Sequence, residues 1–221
     1  APKGCNKTGG LNFSFSKNNF LMLQNCLERG RLEAGCDEAG RGCLAGPVCA
    51  AAVILPDGFS HPELNDSKKL SAPARDSLKE VIENEALSWA VAWASPEEID
   101  QINILQASIL AMNRAITALS MRPDFLLIDG NRFTSDQGLP FSCEIRGDAR
   151  FLSIAAASIL AKTWRDAYMA DLHQQFPGYD WSRNKGYPTN THREAIARLG
   201  TTPHHRTSFR LLPDNEQARL F

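Results

Sequence analysis

The chain has 221 residues, 43% of them hydrophobic, and a formal charge of −1. That length fits one full domain with at most a small appendage, and the near-neutral charge excludes a protein that holds nucleic acid by net basicity alone. No apolar run approaches the ~20 residues that span a bilayer, and six cysteines (5, 26, 36, 43, 49 and 143) without a CxxC pair exclude a zinc ribbon or an even disulfide framework. Reduced thiols, a cytoplasmic location and no membrane partner are the expectation. Cys36, Cys43 and Cys49 stand in apolar surroundings and read as small buried residues.

Residues 1–25 are rich in Lys, Asn, Ser and Gly, lack the apolar centre of a secretion signal, and read as a polar arm; Met22 offers a second start. Residues 32–37 form a first strand. Residues 48–55 are nearly all apolar and end at Pro56-Asp57-Gly58, a buried strand running into a turn. A helix is expected over 72–86, with Leu78, Val81 and Ile82 on one face, and a third strand over 89–93. Ser95-Pro96-Glu97-Glu98 starts a helix, with serine as cap, proline in the first turn and Glu98 in the capping-box position. A second helix follows, because Leu105, Ile109, Met112, Ile116 and Leu119 step by four and three. Pro123 ends it. Residues 125–128 are a short apolar strand of a sheet covered on both faces, and it delivers Asp129. Residues 141–146 form another strand, running into Gly147-Asp148, and a long helix spans 153–176. This order implies a mixed α/β sheet flanked by helices. After Pro177-Gly178 the chain turns basic and forms a smaller lobe, 177–221, with one helix near 193–199. Between 183 and 210 lie six Lys/Arg, three His and one acid, with aromatics in or beside them. Such a stretch can track a phosphate backbone or form a solvated charged face.

The most informative segment is Asp37-Glu38-Ala39-Gly40-Arg41-Gly42. Adjacent carboxylates repel each other but suit a divalent cation, which takes hard oxygen ligands. Gly-Arg-Gly suits backbone that lies close to a phosphate or sugar. Asp37, Asp129 and Asp148 each stand where a strand ends, a common address for functional groups. Any one of them is as readily a turn former; the joint pattern carries the weight. Several carboxylates from separate strands can share a pair of cations that activate water and stabilise a leaving oxygen. With no His or Cys in the set, Mg²⁺ or Mn²⁺ is expected. Strand alternation aims Asp37 and Glu38 at opposite faces, so either the chain bends at Ala39-Gly40 or Glu38 contributes through its main chain. Asp37 is expected as the central ligand and Glu38 as the peripheral one. Asp166, beside Arg165 in a helix, reads as a local ion pair or cap, and His173 as a surface residue.

The run Gly35-Cys36-Asp37-Glu38-Ala39-Gly40-Arg41-Gly42, followed by Ala45-Gly46-Pro47-Val48, resembles the opening motif of the type 2 ribonucleases H, the ribonuclease HII family. The resemblance continues through Asn65-Asp66-Ser67-Lys68-Lys69-Leu70, Leu127-Ile128-Asp129-Gly130, Gly147-Asp148, Ser153-Ile154-Ala155-Ala156-Ala157-Ser158-Ile159 with Ala161-Lys162, Arg165-Asp166, Lys185-Gly186-Tyr187-Pro188-Thr189 and His205-Arg206-Thr207-Ser208-Phe209. It implies a ribonuclease H-like fold over residues 26–176 with a small helical C-terminal extension. It implies cleavage of RNA in RNA–DNA hybrids and of single ribonucleotides in duplex DNA, leaving 3′-hydroxyl and 5′-phosphate ends. A part in ribonucleotide removal during replication and repair goes with that activity. The family's four acids fall on Asp37, Glu38, Asp129 and Asp148. Its 2′-hydroxyl-reading loop falls on Gly40, Arg41 and Gly42, its phosphate-contacting loop on Lys68 and Lys69, and its junction-sensing tyrosine on Tyr187. Pro188 and residues 131–133 depart from the family pattern. The expected partners are nucleic-acid duplexes and the expected state is a monomer. Two rivals stand beside this reading. Ribonuclease HIII shares the acidic set but generally adds an N-terminal domain, for which the stretch before Asp37 is too short. A non-catalytic binding module would use the basic tail without needing the four acids.

Overall fold

The computed structural model describes residues 23–64 and 70–213. Five strands form one mixed sheet: β1 (Glu33–Ala39), β2 (Val48–Ile54), β3 (Ser88–Ala94), β4 (Phe125–Asp129) and β5 (Phe141–Glu144), in the order β3-β2-β1-β4-β5. β2 runs antiparallel to β1 and β3, whereas β4 runs parallel to β1 and β5. The helices are α1 (Ala72–Glu85), α2 (Pro96–Thr117), α3 (Leu152–Gln175), α4 (Trp181–Asn184) and α5 (Asn190–Leu199). Among the described residues no helix is long and apolar enough to cross a membrane.

Every residue of β2 is buried. Alternation divides them: Val48, Ala50, Ala52 and Ile54 pack with α2 on one face, and Cys49, Ala51 and Val53 with α3 and α1 on the other. The run of alanines allows helices to lie close on both sides. Closest of all is α3 on β1. A Cβ at Gly35 would sit 2.2 Å from the Ser153 carbonyl carbon and 2.3 Å from the Ile154 nitrogen. Both atoms are backbone and cannot swing away. Gly35→Ala is therefore expected to destabilise the fold by about 3 kcal/mol or more, seen as a lower urea midpoint with an unchanged slope. A midpoint equal to the wild type would contradict this packing.

The expected elements recur with shifted ends. The two expected helices over 95–119 form one element, broken at Asn103, whose φ of 66° and ψ of 163° are not helical. Its side-chain oxygen accepts from the Leu105 and Gln106 amides, so it caps the second half as an N-cap does. β5 stops at Glu144 rather than 146, because Arg146 takes a left-handed φ of 56°. The last helix begins earlier than 193: Thr189 caps it by accepting from the His192 amide at 3.2 Å.

Among the described residues the basic tail packs against the sheet domain. Tyr179, Trp181, Ala195, Ile196, Leu211 and Leu212 share one cluster with Leu44 and Ala45 of the β1–β2 loop and with Met169 and Leu172 of α3. Asp100 of α2 accepts from both the amides and the hydroxyls of Thr207 and Ser208 at 2.6–3.0 Å. Four hydrogen bonds to one carboxylate moor the tail to the sheet domain, and they hold the Asp100 carboxyl below its ordinary range against the opposing effect of burial. Cys36, Cys43 and Cys49 are buried free thiols, as expected; burial raises all three.

Candidate active site

The register of the two central strands assembles the site. Cys36 on β1 lies opposite Ile128 on the parallel β4, so Asp37 and Asp129 stand one residue further along, side by side. Leu127, two residues before Asp129, packs on Phe151 and Ile154 at the start of α3. Alternation therefore turns Asp129 toward α3 as well. Asp37 faces the same helix, and the Ser158 hydroxyl donates to it. Asp129 Oδ1 accepts the Gly147 amide at 2.7 Å, which fixes the short turn Gly147–Ala149 that carries the buried Asp148.

Charge accumulates here against resistance. Burial raises the Asp37 carboxyl well above its ordinary range, and Glu38 and Asp129 push it further, while Ser158 and the Glu38 amide oppose them. Glu38 is raised by burial too, although Arg41 lowers it. β1 stays regular through Ala39 and the chain turns only at Gly40, φ 96°. Glu38 pairs with Arg41 at 3.0 Å, while its amide donates to Asp37 Oδ1 at 2.7 Å. Among the described residues no three His, Cys, Asp or Glu side chains are grouped so as to hold a metal ion. The donor chemistry nonetheless suits a hard divalent cation, being carboxylate oxygen that mutual repulsion keeps short of counter-charge.

A cleft of about 470 Å³ opens beside this row, lined by Glu38, Gly40, Arg41, Gly42, Ser158 and Tyr187, with Arg75 and Lys162 at its side. Ser158, Lys162 and Asp166 follow one another by fours along α3, so they share a face. Lys162 pairs with Asp166 at 2.7 Å and lies 5.5 Å over the Tyr187 ring. Asp166 is thus engaged in a local ion pair, with Lys162 rather than with Arg165. Lys68 and Lys69 lie outside the described residues.

Two buried arginines, which the family motifs contain but whose roles the sequence left open, brace the loops beside the cleft. Arg165, fully buried, donates to the carbonyls of Pro47 at 2.9 Å, Ala45 at 3.0 Å and Lys185 at 2.9 Å. Arg206, also fully buried, donates to Gly46 and Arg41 carbonyls, each at 2.9 Å. Burial lowers its guanidinium to about 10, which still leaves it charged at neutral pH. Arg165 ties the loop between β1 and β2 to the loop carrying Tyr187, and Arg206 ties the same loop to the C-terminal segment. A Cβ at Gly40 would meet Arg165 Nε at 2.0 Å, which explains that glycine by close approach as well as by its left-handed backbone. A signal for Arg165 existed: it lies on the buried stripe of α3, four residues from both Ala161 and Met169. For Arg206 the basic tail suggested phosphate contact or solvent, and the structure turns it inward instead.

The chain matches the family model described as Ribonuclease HII over residues 34–212. A ribonuclease HII of Bacteroides thetaiotaomicron is 62% identical over 195 residues, covering 88% of this chain and 98% of the relative. The crystal structure of ribonuclease H2 from Pyrococcus horikoshii superposes with a TM-score of 0.70 at 22% identity, covering 85% of this chain and 98% of that one. Bst-RNase HIII in complex with Mn²⁺ superposes with a TM-score of 0.64 at 17% identity, over 86% of this chain and 70% of that one.

Proposed function

The chain belongs to the ribonuclease HII family and is a nuclease, and from that premise we propose that it hydrolyses the RNA strand of RNA–DNA hybrids and nicks duplex DNA on the 5′ side of single embedded ribonucleotides. The products are 3′-hydroxyl and 5′-phosphate ends. The observation that carries this reading is that Asp37 and Asp129 lie side by side on parallel strands, with Asp148 tied in through Gly147, next to Glu38 and Ser158 of the cleft lined by Gly40–Gly42.

Asp37, Glu38, Asp129 and Asp148 are the residues that would hold two divalent cations, Mg²⁺ or Mn²⁺. Such ions supply Lewis-acid activation of water and stabilisation of the leaving oxygen. The remaining work falls to the chain. Ser158 keeps Asp37 aligned and opposes its protonation. Arg41 restrains Glu38. The backbone of Gly40, Arg41 and Gly42, held from behind by Arg165 and Arg206, reads the 2′-hydroxyl that distinguishes RNA from DNA. Lys68 and Lys69 contact phosphate. The Tyr187 ring, half exposed at the cleft, stacks on the deoxyribose that follows the ribonucleotide and disfavours a second 2′-hydroxyl there. The enzyme works as a cytoplasmic monomer in removing ribonucleotides from DNA.

The test is cleavage of two labelled substrates in Mg²⁺: a DNA duplex with one ribonucleotide and a uniform RNA–DNA hybrid. Wild-type protein should cut both. A protein that binds both and cuts neither would support a binding module instead. Tyr187→Ala should lower kcat/KM on the single-ribonucleotide duplex about tenfold more than on the hybrid, the size of one lost stacking contact. Equal losses on both would remove the junction role.

A further inference from the structure

We infer that His192, buried on α5, is a positioning residue that aims the Tyr187 ring and so sets the preference for a ribonucleotide–deoxyribonucleotide junction; this rests on the reading of Tyr187 given above. His192 is 0% exposed and is not among the residues that line the cleft.

Its hydrogen bonds leave one consistent assignment of protons. The Trp181 indole N–H can only donate, and it reaches His192 Nε2 at 2.9 Å. Nε2 is therefore the acceptor, and the proton of the neutral ring sits on Nδ1. Nδ1–H donates to the Tyr187 carbonyl at 2.9 Å. His205 follows the same logic. Its Nδ1 accepts the Thr202 amide at 3.0 Å, so its Nε2 carries the proton and faces His192 Nε2 at 3.3 Å. Burial keeps both rings neutral, lowering His205 to about 3. Trp181 and His205 thus lock the His192 tautomer that can grip Tyr187.

The segment carrying Tyr187 needs such a grip. Asp180 and Lys185 hold left-handed φ of 55° and 51°, conformations that side chains resist. Gly186 is pressed so close to the β1–β2 loop that a Cβ there would lie 2.5 Å from the Ala45 carbonyl oxygen. On that side the segment is held by Leu44 N–H to the Gly186 carbonyl at 2.8 Å and by Arg165. On the other side His192 supplies a side-chain donor to the Tyr187 carbonyl, which also accepts the Thr189 amide at 2.8 Å. Without the imidazole donor the peptide plane can rotate, and the ring swings with it.

The experiment measures the ratio of kcat/KM on the single-ribonucleotide duplex to that on the uniform hybrid for wild type, Tyr187→Ala, His192→Ala, His192→Asn, His192→Gln and the double alanine variant. Asparagine carries its amide nitrogen near Nδ1 and keeps the bond to Tyr187; glutamine carries it toward Nε2 and loses that bond. His192→Ala and His192→Gln should lower the ratio about tenfold, the size of one net hydrogen bond. His192→Asn should stay within about twofold of wild type on the same scale. The double variant should show the Tyr187→Ala ratio and no further loss. If His192→Ala fails to fold, the contrast between asparagine and glutamine decides. Equal losses on both substrates, or a glutamine variant with the wild-type ratio, would overturn the inference. A Tyr187→Ala loss with no His192→Ala loss removes this inference alone; an unchanged Tyr187→Ala ratio removes the tyrosine reading as well.

Discussion

Asp129→Asn is expected to lower kcat on an RNA–DNA hybrid by on the order of 10³-fold, about 4 kcal/mol at about 1.4 kcal/mol per tenfold. The Kd for the hybrid should stay within about threefold, because affinity comes from phosphate contacts the substitution does not touch. The amide is nearly the size of the carboxylate, so it can still accept the Gly147 N–H bonded at 2.7 Å to Oδ1, and the turn bearing Asp148 stays in place. What disappears is charge: Asp37 and Glu38 lose a repelling neighbour, and any cation loses a ligand. The same removal should shift the Mg²⁺ concentration for half-maximal activity upward. Binding is measured in Ca²⁺ or without metal and turnover in Mg²⁺. Turnover within tenfold of the wild type would refute the assignment of Asp129.

Arg165→Met is expected to be the most damaging change outside the acidic row. Methionine fills much of the volume but satisfies none of the three carbonyls, those of Ala45, Pro47 and Lys185, that the guanidinium bonds. A buried carbonyl left without a partner costs about 1–3 kcal/mol, and the three are not additive. A loss of about 4 kcal/mol is expected, which lowers the melting temperature by roughly 10 °C for a chain of this size. Lysine should rescue little, since one ammonium cannot present the planar fork that reaches three separate carbonyls. Thermal unfolding followed by circular dichroism checks this. A melting temperature within about 2 °C of wild type would show that other bonds hold the two loops.

How far the residues announced these features depended on the range of the interactions. The strands at 48–55 and 125–128 were legible because a sheet covered on both faces leaves no polar positions. The capping box at Ser95 was legible because it is local: Ser95 and Glu98 bond each other's backbones at 3.2 and 2.9 Å. The start of α5 was missed because its cap, Thr189, sits in a run of small polar residues that reads equally well as loop. The break at Asn103 was legible only as two adjoining periodic patterns, whereas its left-handed backbone depends on how the two halves pack.

The acids could be named from their motifs and strand ends, but their mutual placement could not. Asp37 and Asp129 are 92 residues apart in the chain and become neighbours only through the parallel register of β1 and β4. The sequence left open whether the strand bends beside Glu38; the strand stays regular through Ala39 and the turn falls at Gly40.

The amino-acid order by itself determined the element types, the family motifs and the identity of the acidic and glycine-rich segments, because these depend on interactions within a few residues. The tertiary structure alone decided that the basic tail turns Arg206, His192 and His205 inward and that Arg165 braces two loops. A charged side chain's direction is set by the carbonyls available to it once distant segments meet, and those partners lie as far as 165 positions away in the chain.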